Sequence, residues 1–571
     1  MRCGGVIVVK FGGSVLRSED SLRLAVHEVL RWRRDGVRVV AVVSALAGRT
    51  DALFAECRST GLGAGTYATA ARVACGEAES AARLGVELDA TGIEAAVLSP
   101  GTIGLLAEGD PLDADPIGVD AVRLRGVLEG QGVVVVPGYV ACDRSGRTVL
   151  LGRGGSDLTA LCLAHALGAR CRLVKDVDGL YEHDPLRPGP RARRYAQARW
   201  VDALATDGSI VQHKAAEFAL RHSIEFELGR LGGDTPTLIG TGGPRWADDG
   251  ERRPPLRVAV LGTGTVGGGV LEALAQLREQ FTVVAIAARG VSRLHPHEAA
   301  RCGADVVVEC LGGTETAREC ILAALATGAD VVTSNKAVLA AHGDEIATAA
   351  REAGRSVSAS AAVGGSTPVL TRVARGRTEG RGLRRVTGVL NGTANFVLER
   401  VRQGDTLAAA IDVARRLGLA ERDPARDLDG RDAVDKLAVV AATAGFAGLP
   451  ATSICRETID EAVAERVRRA GRLRLRQVAR LVRVAGELRG SVAIEAVSDD
   501  HPLHAVPSEW NAVVLEWDDG SREVLRGRGA GRRPTAAAVV GDLLDLHRAA
   551  SRNAIQCGVP GPAEVNDVVV L

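Results

Sequence analysis

Lysine is nearly missing from this chain. Of 71 basic residues only five are lysines: Lys10, Lys175, Lys214, Lys336 and Lys436. Arginine stays protonated in any protein setting, whereas a lysine can give up its proton near neutral pH and fits beside a phosphate as a compact point charge. Arginine richness by itself can reflect coding bias, but the surviving lysines are candidates for places where arginine fails. Aromatic residues make up only 3% of the chain, too few for a base-stacking surface. A net charge of +1 gives no basic excess for nucleic acid or an anionic membrane. No apolar run approaches the ~18 residues of a membrane span, and the apolar stretch after Met1 is too short for a secretory signal. The eleven cysteines form no CxxC pair and no metal-ligand spacing. Cys57, Cys162 and Cys310 sit among apolar residues, as small core side chains do. A reduced, cytoplasmic setting with small-molecule partners is expected, without nucleic acid or membrane.

What is present is globular. The 571 residues are 46% hydrophobic and 25% charged, enough for two or three domains. Short β-branched runs (VVVVPGYV, RVAVLG, DVVVECLG, DVVTSNK) alternate with Ala/Leu/Arg segments, the pattern of parallel α/β sheets. One stretch breaks it: TGGPRWADDGERRPP, 241–255, is glycine, proline and charge without apolar periodicity.

Before that seam, VIVVKFGGSVL sets Lys10 and two glycines directly after a buried strand, where backbone N–H groups can approach a phosphate. LGRGGSDLTA, 151–160, packs Arg153, two glycines, Ser156 and Asp157 into a strand-to-helix turn suited to an anion. Capping of that helix by Ser156 or Asp157 is the plainer account. KDVDGLYEHDP, 175–185, adds carboxylates and a tyrosine after another strand. With VVSALAGRTD (42–51) and Gly76-Glu77, these stretches stand in the order of the amino-acid kinase family, and residues 1–242 most closely resemble aspartokinase. The resemblance implies that Lys10, Gly12, Gly13 and Ser14 hold ATP phosphates. It implies that Ser44, Thr50, Glu77, Arg153 and Ser156 hold aspartate with Asp157 nearby, and that Asp176, Tyr181 and Asp184 lie at the nucleotide. The reaction would be phosphorylation of the aspartate β-carboxylate by ATP with Mg²⁺. Three positions depart from the family. Lys175 stands where threonine is usual, Ser209-Ile210 replaces a late glycine-turn lysine with Lys214 as a nearby stand-in, and DPR has become DPL with Arg187 one place late. These departures are the support for a second reading, a non-catalytic ligand-binding module.

Beyond the seam, RVAVLGTGTVGGGVLEAL is GxGxxG immediately after a strand and opening a helix, the setting of a dinucleotide turn formed by Gly262, Thr263, Gly264, Thr265, Val266 and Gly267. The next strand, TVVAIAARG, ends without the acid that takes a ribose 2′-hydroxyl; Arg289 and Arg293 suit a 2′-phosphate and hence NADP(H). DVVVECLGGTE, DVVTSNKAVLA, SAAVGGSTPVL, GVLNGTANFVL and GLAERDPARDLDGRDAVDK follow. In the last, Asp432 and Lys436 share a helix face. A surface salt bridge is the plain account, but Glu421, Asp423, Asp427 and Asp429 are too much acid for an ordinary helix start. This series, with GRGAGRRPTAAAVVGDLL at 527–544, resembles homoserine dehydrogenase. The resemblance implies that Lys436 donates and accepts the proton, Asp432 binds substrate, and Lys336 lies between nicotinamide and substrate. Glu421 takes the amino group, with Asp427 and Thr393 completing the homoserine or semialdehyde site. Gly312, Gly313, Asn335 and Lys336 join the cofactor contacts. Ser360 stands where the family carries glutamate; main-chain oxygens of Ser360, Val363, Gly365 and Thr367 would hold a monovalent cation, Na⁺ or K⁺.

The expected architecture is an α/β/α amino-acid kinase sandwich (1–242), a linker (243–256), a Rossmann domain (257–385), an α+β catalytic and dimerisation domain (386–525), and a return to the dinucleotide domain (526–571). The expected chain is an aspartate kinase followed by an NADP-dependent homoserine dehydrogenase, working on aspartate, aspartate β-semialdehyde and homoserine as a homodimer or larger homo-oligomer. Aldehyde reduction needs hydride on carbon and a proton on oxygen, which a neutralisable lysine can supply and arginine cannot. ACT regulatory domains, common in such enzymes, need on the order of 60 residues to bury a core. The segment Gly243 to Pro255 and the 27 residues after Leu544 (571 − 544) hold none, and DVVVL reads as a short docking strand. Both activities are therefore expected to ignore millimolar threonine and lysine; saturable inhibition not competitive with substrate would reveal a regulatory site.

Overall fold

The computed structural model describes residues 5–59, 66–185, 192–206, 208, 210–247, 254–288, 294–420, 423–446, 449–484, 486–507 and 509–556. The DVVVL segment lies outside them. Two compact units are present, the first largely within residues 1–253 and the second within 254–550.

The first unit is built on a nine-stranded sheet whose middle is parallel: Phe226–Arg230, Arg170–Lys175, Val6–Phe11, Arg38–Val43 and Val133–Pro137, in that order. Val6–Phe11, Arg38–Val43 and Val133–Pro137 are near-continuous apolar runs, as expected where helices cover both faces of a parallel sheet; in Val6–Phe11 every residue after Val6 is buried. The order brings the ends of three strands together, so that Lys10, Ser44 and Lys175 sit along one carboxyl edge, where open α/β sheets bind ligands. Helix Gly155–Leu167 is buried along nearly its whole length. Its N-cap is Gly154 at φ 76°, and neither Ser156 nor Asp157 caps it. A smaller four-stranded sheet includes the hairpin Leu106–Asp110 and Asp113–Gly118.

The second unit joins two sheets over one apolar core that runs from Ala259 and Leu261 to Val386 and Leu515. The first sheet is parallel, in the order Phe281–Ala287, Leu256–Leu261, Val306–Glu309, Asp330–Thr333, Val357–Ser358. The second has six mostly antiparallel strands, with Leu383–Val389 between Arg474–Val484 and Trp510–Trp517. Helix Arg532–Gln556 returns to the parallel sheet. A Cβ on Gly269 would come within 2.9 Å of Ala536, and Arg532 Nη2 lies 2.5 Å from Glu272 Oε1. On this helix the buried Asp542 accepts hydrogen bonds from Ser360 N at 2.9 Å and Ser360 Oγ at 2.6 Å. No described helix is long and apolar enough to cross a membrane.

Candidate active sites

The glycine turn of the second unit is shaped by close approach. Gly262, at φ 92°, could not carry a side chain, since a Cβ would meet Cys310 O at 2.5 Å; a Cβ on Gly267 would fall 1.9 Å from Gly262 O. Above Gly264, the N-cap of helix Thr265–Leu274, there is only open space, and no side chain takes the first N–H groups of the helix. Gly312 and Gly313 are likewise open. A dinucleotide diphosphate fits this cradle of free amides at a helix start. Asn335 holds the neighbouring turn, donating from Nδ2 to Gly313 O at 2.8 Å while its Oδ1 caps helix Lys336–Ala353. Beneath it the buried Glu309 accepts from Leu311 N at 2.7 Å and from Thr333 Oγ1. The second strand ends against the turn, with Gly262 N donating to Ala287 O at 2.9 Å. Arg289 and Arg293, two positions and more beyond, lie outside the described residues.

Next to this cradle one carboxylate takes a lysine on each oxygen. Lys336 Nζ is 3.0 Å from Asp432 Oδ1, and Lys436 Nζ is 2.8 Å from Asp432 Oδ2. The pairing follows from local structure: Asp432 and Lys436 are one turn apart on helix Arg431–Thr443, and Lys336 opens helix Lys336–Ala353. Burial alone would raise the Asp432 carboxyl, but Lys436 and Lys336 outweigh it and hold it well below the usual carboxylate range. Burial would lower Lys336; Asp432 reverses this, so its ammonium is held above the ordinary value. Lys436 also donates to Leu390 O at 2.6 Å.

Sequence reasoning passed over Asn391. Its Nδ2 donates to Asp427 Oδ1 at 2.7 Å and to Asp432 Oδ2 at 2.8 Å, while Oδ1 accepts from Ala394 N as the cap of helix Gly392–Arg402. The available signal was an asparagine before glycine at a helix start, in LNGTAN. Asp427 is raised, chiefly by burial and further by Asp432. Thr393 serves as a brace, its hydroxyl donating to Leu419 O at 2.6 Å and holding the chain just ahead of Glu421. Glu421 itself lies outside the described residues. Around the expected cation loop, Ser360 commits its N–H and hydroxyl to Asp542, Gly365 is left-handed at φ 56°, Val363 is buried, and Thr367 Oγ1 is buried without a hydrogen-bond partner.

The first unit repeats the same device on a different fold. Asp157 is enclosed between Lys175, whose Nζ donates to Oδ2 at 2.6 Å, and Lys10, whose Nζ lies 2.6 Å from Oδ1 in an ion pair without hydrogen-bond alignment. Burial would raise Asp157, yet the two lysines hold it below its ordinary value. Lys175 is pushed down to about 8, first by burial and further by Lys10, with Asp157 opposing. Gly12 N donates to Val174 O at 3.3 Å, and a Cβ on Gly12 would stand 3.2 Å from Lys10 Nζ. Ser14 Oγ donates to Asp176 Oδ1 at 3.1 Å, and Arg17, not anticipated, contacts the other oxygen at 3.1 Å.

The expected aspartate ligands lie on the same edge. Ser44 N donates to Phe11 O at 3.1 Å, and a Cβ on Gly13 would meet Ala45 O at 3.1 Å. Gly76 packs on Ala45 and Leu53, which sets Glu77 beside the turn. Glu77 is buried with Oε2 unpartnered, and burial pushes its carboxyl up to about 8. Ser156 packs closely on Gly138, Thr50 is partly exposed on helix Arg49–Ser59, and Arg153 is exposed. Tyr181 is an internal brace, buried and donating to Asp178 Oδ1 at 2.7 Å; Asp184 is partly buried. Lys214 does not stand in at the phosphate site. Its Nζ is held in the hairpin by Asp113 at 2.7 Å and Asp115 at 3.2 Å. Leu186, Arg187 and Ser209 lie outside the described residues.

Family models match both units. Residues 368–544 match the homoserine dehydrogenase family, 262–359 the homoserine dehydrogenase NAD binding domain, and 5–227 the amino acid kinase family. The homoserine dehydrogenase of Synechocystis sp. is 35% identical over 320 residues, a match covering 51% of this chain and 73% of that protein. That of Pseudomonas aeruginosa is 35% identical over 324 residues, covering 52% and 73%. Among solved structures, a homoserine dehydrogenase from Thiobacillus denitrificans is 31% identical with a TM-score of 0.50, covering 56% of this chain and 79% of that one. The chain belongs to the homoserine dehydrogenase family and carries, ahead of the dehydrogenase, a domain of the amino acid kinase family.

Proposed function

We propose that the second unit reduces aspartate β-semialdehyde to homoserine with NADPH, and that the first phosphorylates aspartate with ATP. The observation that carries the dehydrogenase reading is the bonding of Lys436. An ammonium has three N–H groups; one is taken by Asp432 and one by Leu390 O, which leaves a third for a substrate oxygen. NADPH held by Gly262–Gly267, Gly312 and Gly313 would supply hydride. Lys436 supplies the proton to the developing alkoxide, and Lys336, fixed on the other oxygen of Asp432, adds positive charge at the carbonyl. Asn391 keeps Asp427 and Asp432 facing the same space for the substrate, whose amino group goes to Glu421. The orphan Thr367 Oγ1 and the left-handed Gly365 suit a loop that offers oxygens to Na⁺ or K⁺.

The kinase reading is supported by Glu77, whose buried, unpartnered oxygen calls for a donor such as the aspartate ammonium. Asp176, beside Ser14 and Arg17, would face phosphates that arrive with Mg²⁺. Hydroxamate formation dependent on both ATP and aspartate tests the reading. Its absence, alongside intact NADPH-linked aldehyde reduction, would leave the first unit a ligand-binding module.

NADP(H) is expected to be preferred over NAD(H), since the strand ending at Ala287 abuts the glycine turn and no acid follows it before Arg289. The check is kcat/KM for both cofactors in wild type and Arg289→Ala. Equal efficiencies, or an unchanged preference in the variant, would refute the role of this strand end.

A further inference from the structure

We propose that Lys175 is a second phosphoryl-holding cation of the first unit: the ammonium groups of Lys10 and Lys175, set on opposite oxygens of Asp157, receive the oxygens of the phosphoryl group transferred from ATP. The assignment rests on the kinase reading and adds a residue to it.

Charge is the first argument. Two ammonium groups share one carboxylate, and the Lys10, Lys175 and Asp157 side chains are only 6%, 12% and 2% exposed. A buried excess of one positive charge is unfavourable until an anion arrives. Donor geometry is the second. Lys175 spends one N–H on Asp157, and Lys10 touches Asp157 without alignment, so both retain N–H groups for another acceptor. Position is the third. Gly12 N bonds to the carbonyl of Val174, the residue before Lys175, so the glycine amides, Lys10 and Lys175 lie around one point. The remaining lysine of this unit, Lys214, is held by the Asp113–Asp115 hairpin. Asp157 then acts as a positioning residue that keeps two mutually repelling cations a fixed distance apart.

In the transfer, the bond from the γ-phosphorus to the bridging oxygen breaks and its electron pair leaves with ADP. A new phosphorus–oxygen bond forms to a β-carboxylate oxygen of aspartate, with no redox change. The two ammonium groups neutralise charge on the phosphoryl oxygens in flight.

The test is Lys175→Met and Lys175→Arg in the full chain, measured by hydroxamate formation, by titration with a non-hydrolysable ATP analogue, and by thermal unfolding. Lys175→Met is expected to lower the kinase kcat on the order of 10²-fold and to weaken the analogue at least tenfold, with the KM for aspartate and the dehydrogenase rate unchanged. Lys175→Arg, which keeps the charge, should retain more of the analogue affinity than Met. A purely structural ion pair would lower the unfolding temperature while leaving kcat per folded chain and analogue affinity intact, and that result overturns the proposal. Should wild type form no hydroxamate, the kinase reading falls, and Lys175 is judged by the titration alone: weakening in the Met variant sustains phosphate holding. An unchanged Kd, or no wild-type binding, rejects it.

Discussion

Lys436→Arg is expected to lower the dehydrogenase kcat by ~10²-fold or more, with NADPH affinity retained. The substitution keeps a positive charge but removes the proton transfer proposed for this residue. Lys436 sits 2.8 Å from Asp432 and 2.6 Å from Leu390 O, a space built for a compact ammonium. A guanidinium is planar and longer, and it does not surrender a proton to an alkoxide. The cofactor cradle is made by other residues, so fluorescence titration with NADPH should read the same Kd. Near-normal turnover would remove the proton from this residue.

Asp432→Asn should cost both stability and activity. The carboxylate is the anion on which both Lys336 and Lys436 are paired, and losing it leaves two partly or wholly buried ammonium groups facing each other. Breaking a buried charge pair in this way costs about 3–5 kcal/mol, and kcat/KM for the semialdehyde should fall at least as far as in Lys436→Arg. The pH dependence has a definite sign. Because the folded Asp432 carboxyl is held below its unfolded value, its stabilisation is present above roughly pH 4 and is lost as pH falls toward the folded value. Denaturant unfolding across an acid series should show wild type losing that stability and the variant a flatter response. Equal unfolding midpoints for the two proteins at neutral pH would show that the carboxylate is not what keeps the lysines in place.

The scarcity of lysine drew attention to positions that the structure places at buried carboxylates. Four of the five lysines close on two buried carboxylates, Lys10 and Lys175 on Asp157, Lys336 and Lys436 on Asp432. The i, i+4 spacing of Asp432 and Lys436 and the strand–glycine–helix runs are local patterns, and local patterns survive reading along a chain. What stayed hidden depends on pairing across the sheets. Lys175 read as a departure from a family motif, since nothing in its neighbours shows that the adjacent strand carries Lys10 close to its end. Asn391 went unnoticed: it is a helix cap, and its second role needs two aspartates from a segment 36 and 41 positions away. Thr393 and Tyr181 carry polar groups that the fold uses as braces, a choice made by packing and invisible in residue type.

The bond between Ser360 and Asp542 also sets a timetable. Ser360 belongs to the loop after the parallel sheet, yet its carboxylate partner is 182 positions later. A ribosome adding 5–20 residues per second reaches Asp542 roughly 10–40 s after Ser360. During that interval Ser360 lacks its carboxylate partner, and the helix surface around Gly269 lacks its cover. The first unit has its own sheet and can mature while this wait continues. The dehydrogenase is therefore the late-folding part of the nascent chain, and the part with most to gain from a chaperone that shields apolar surface until translation is nearly finished.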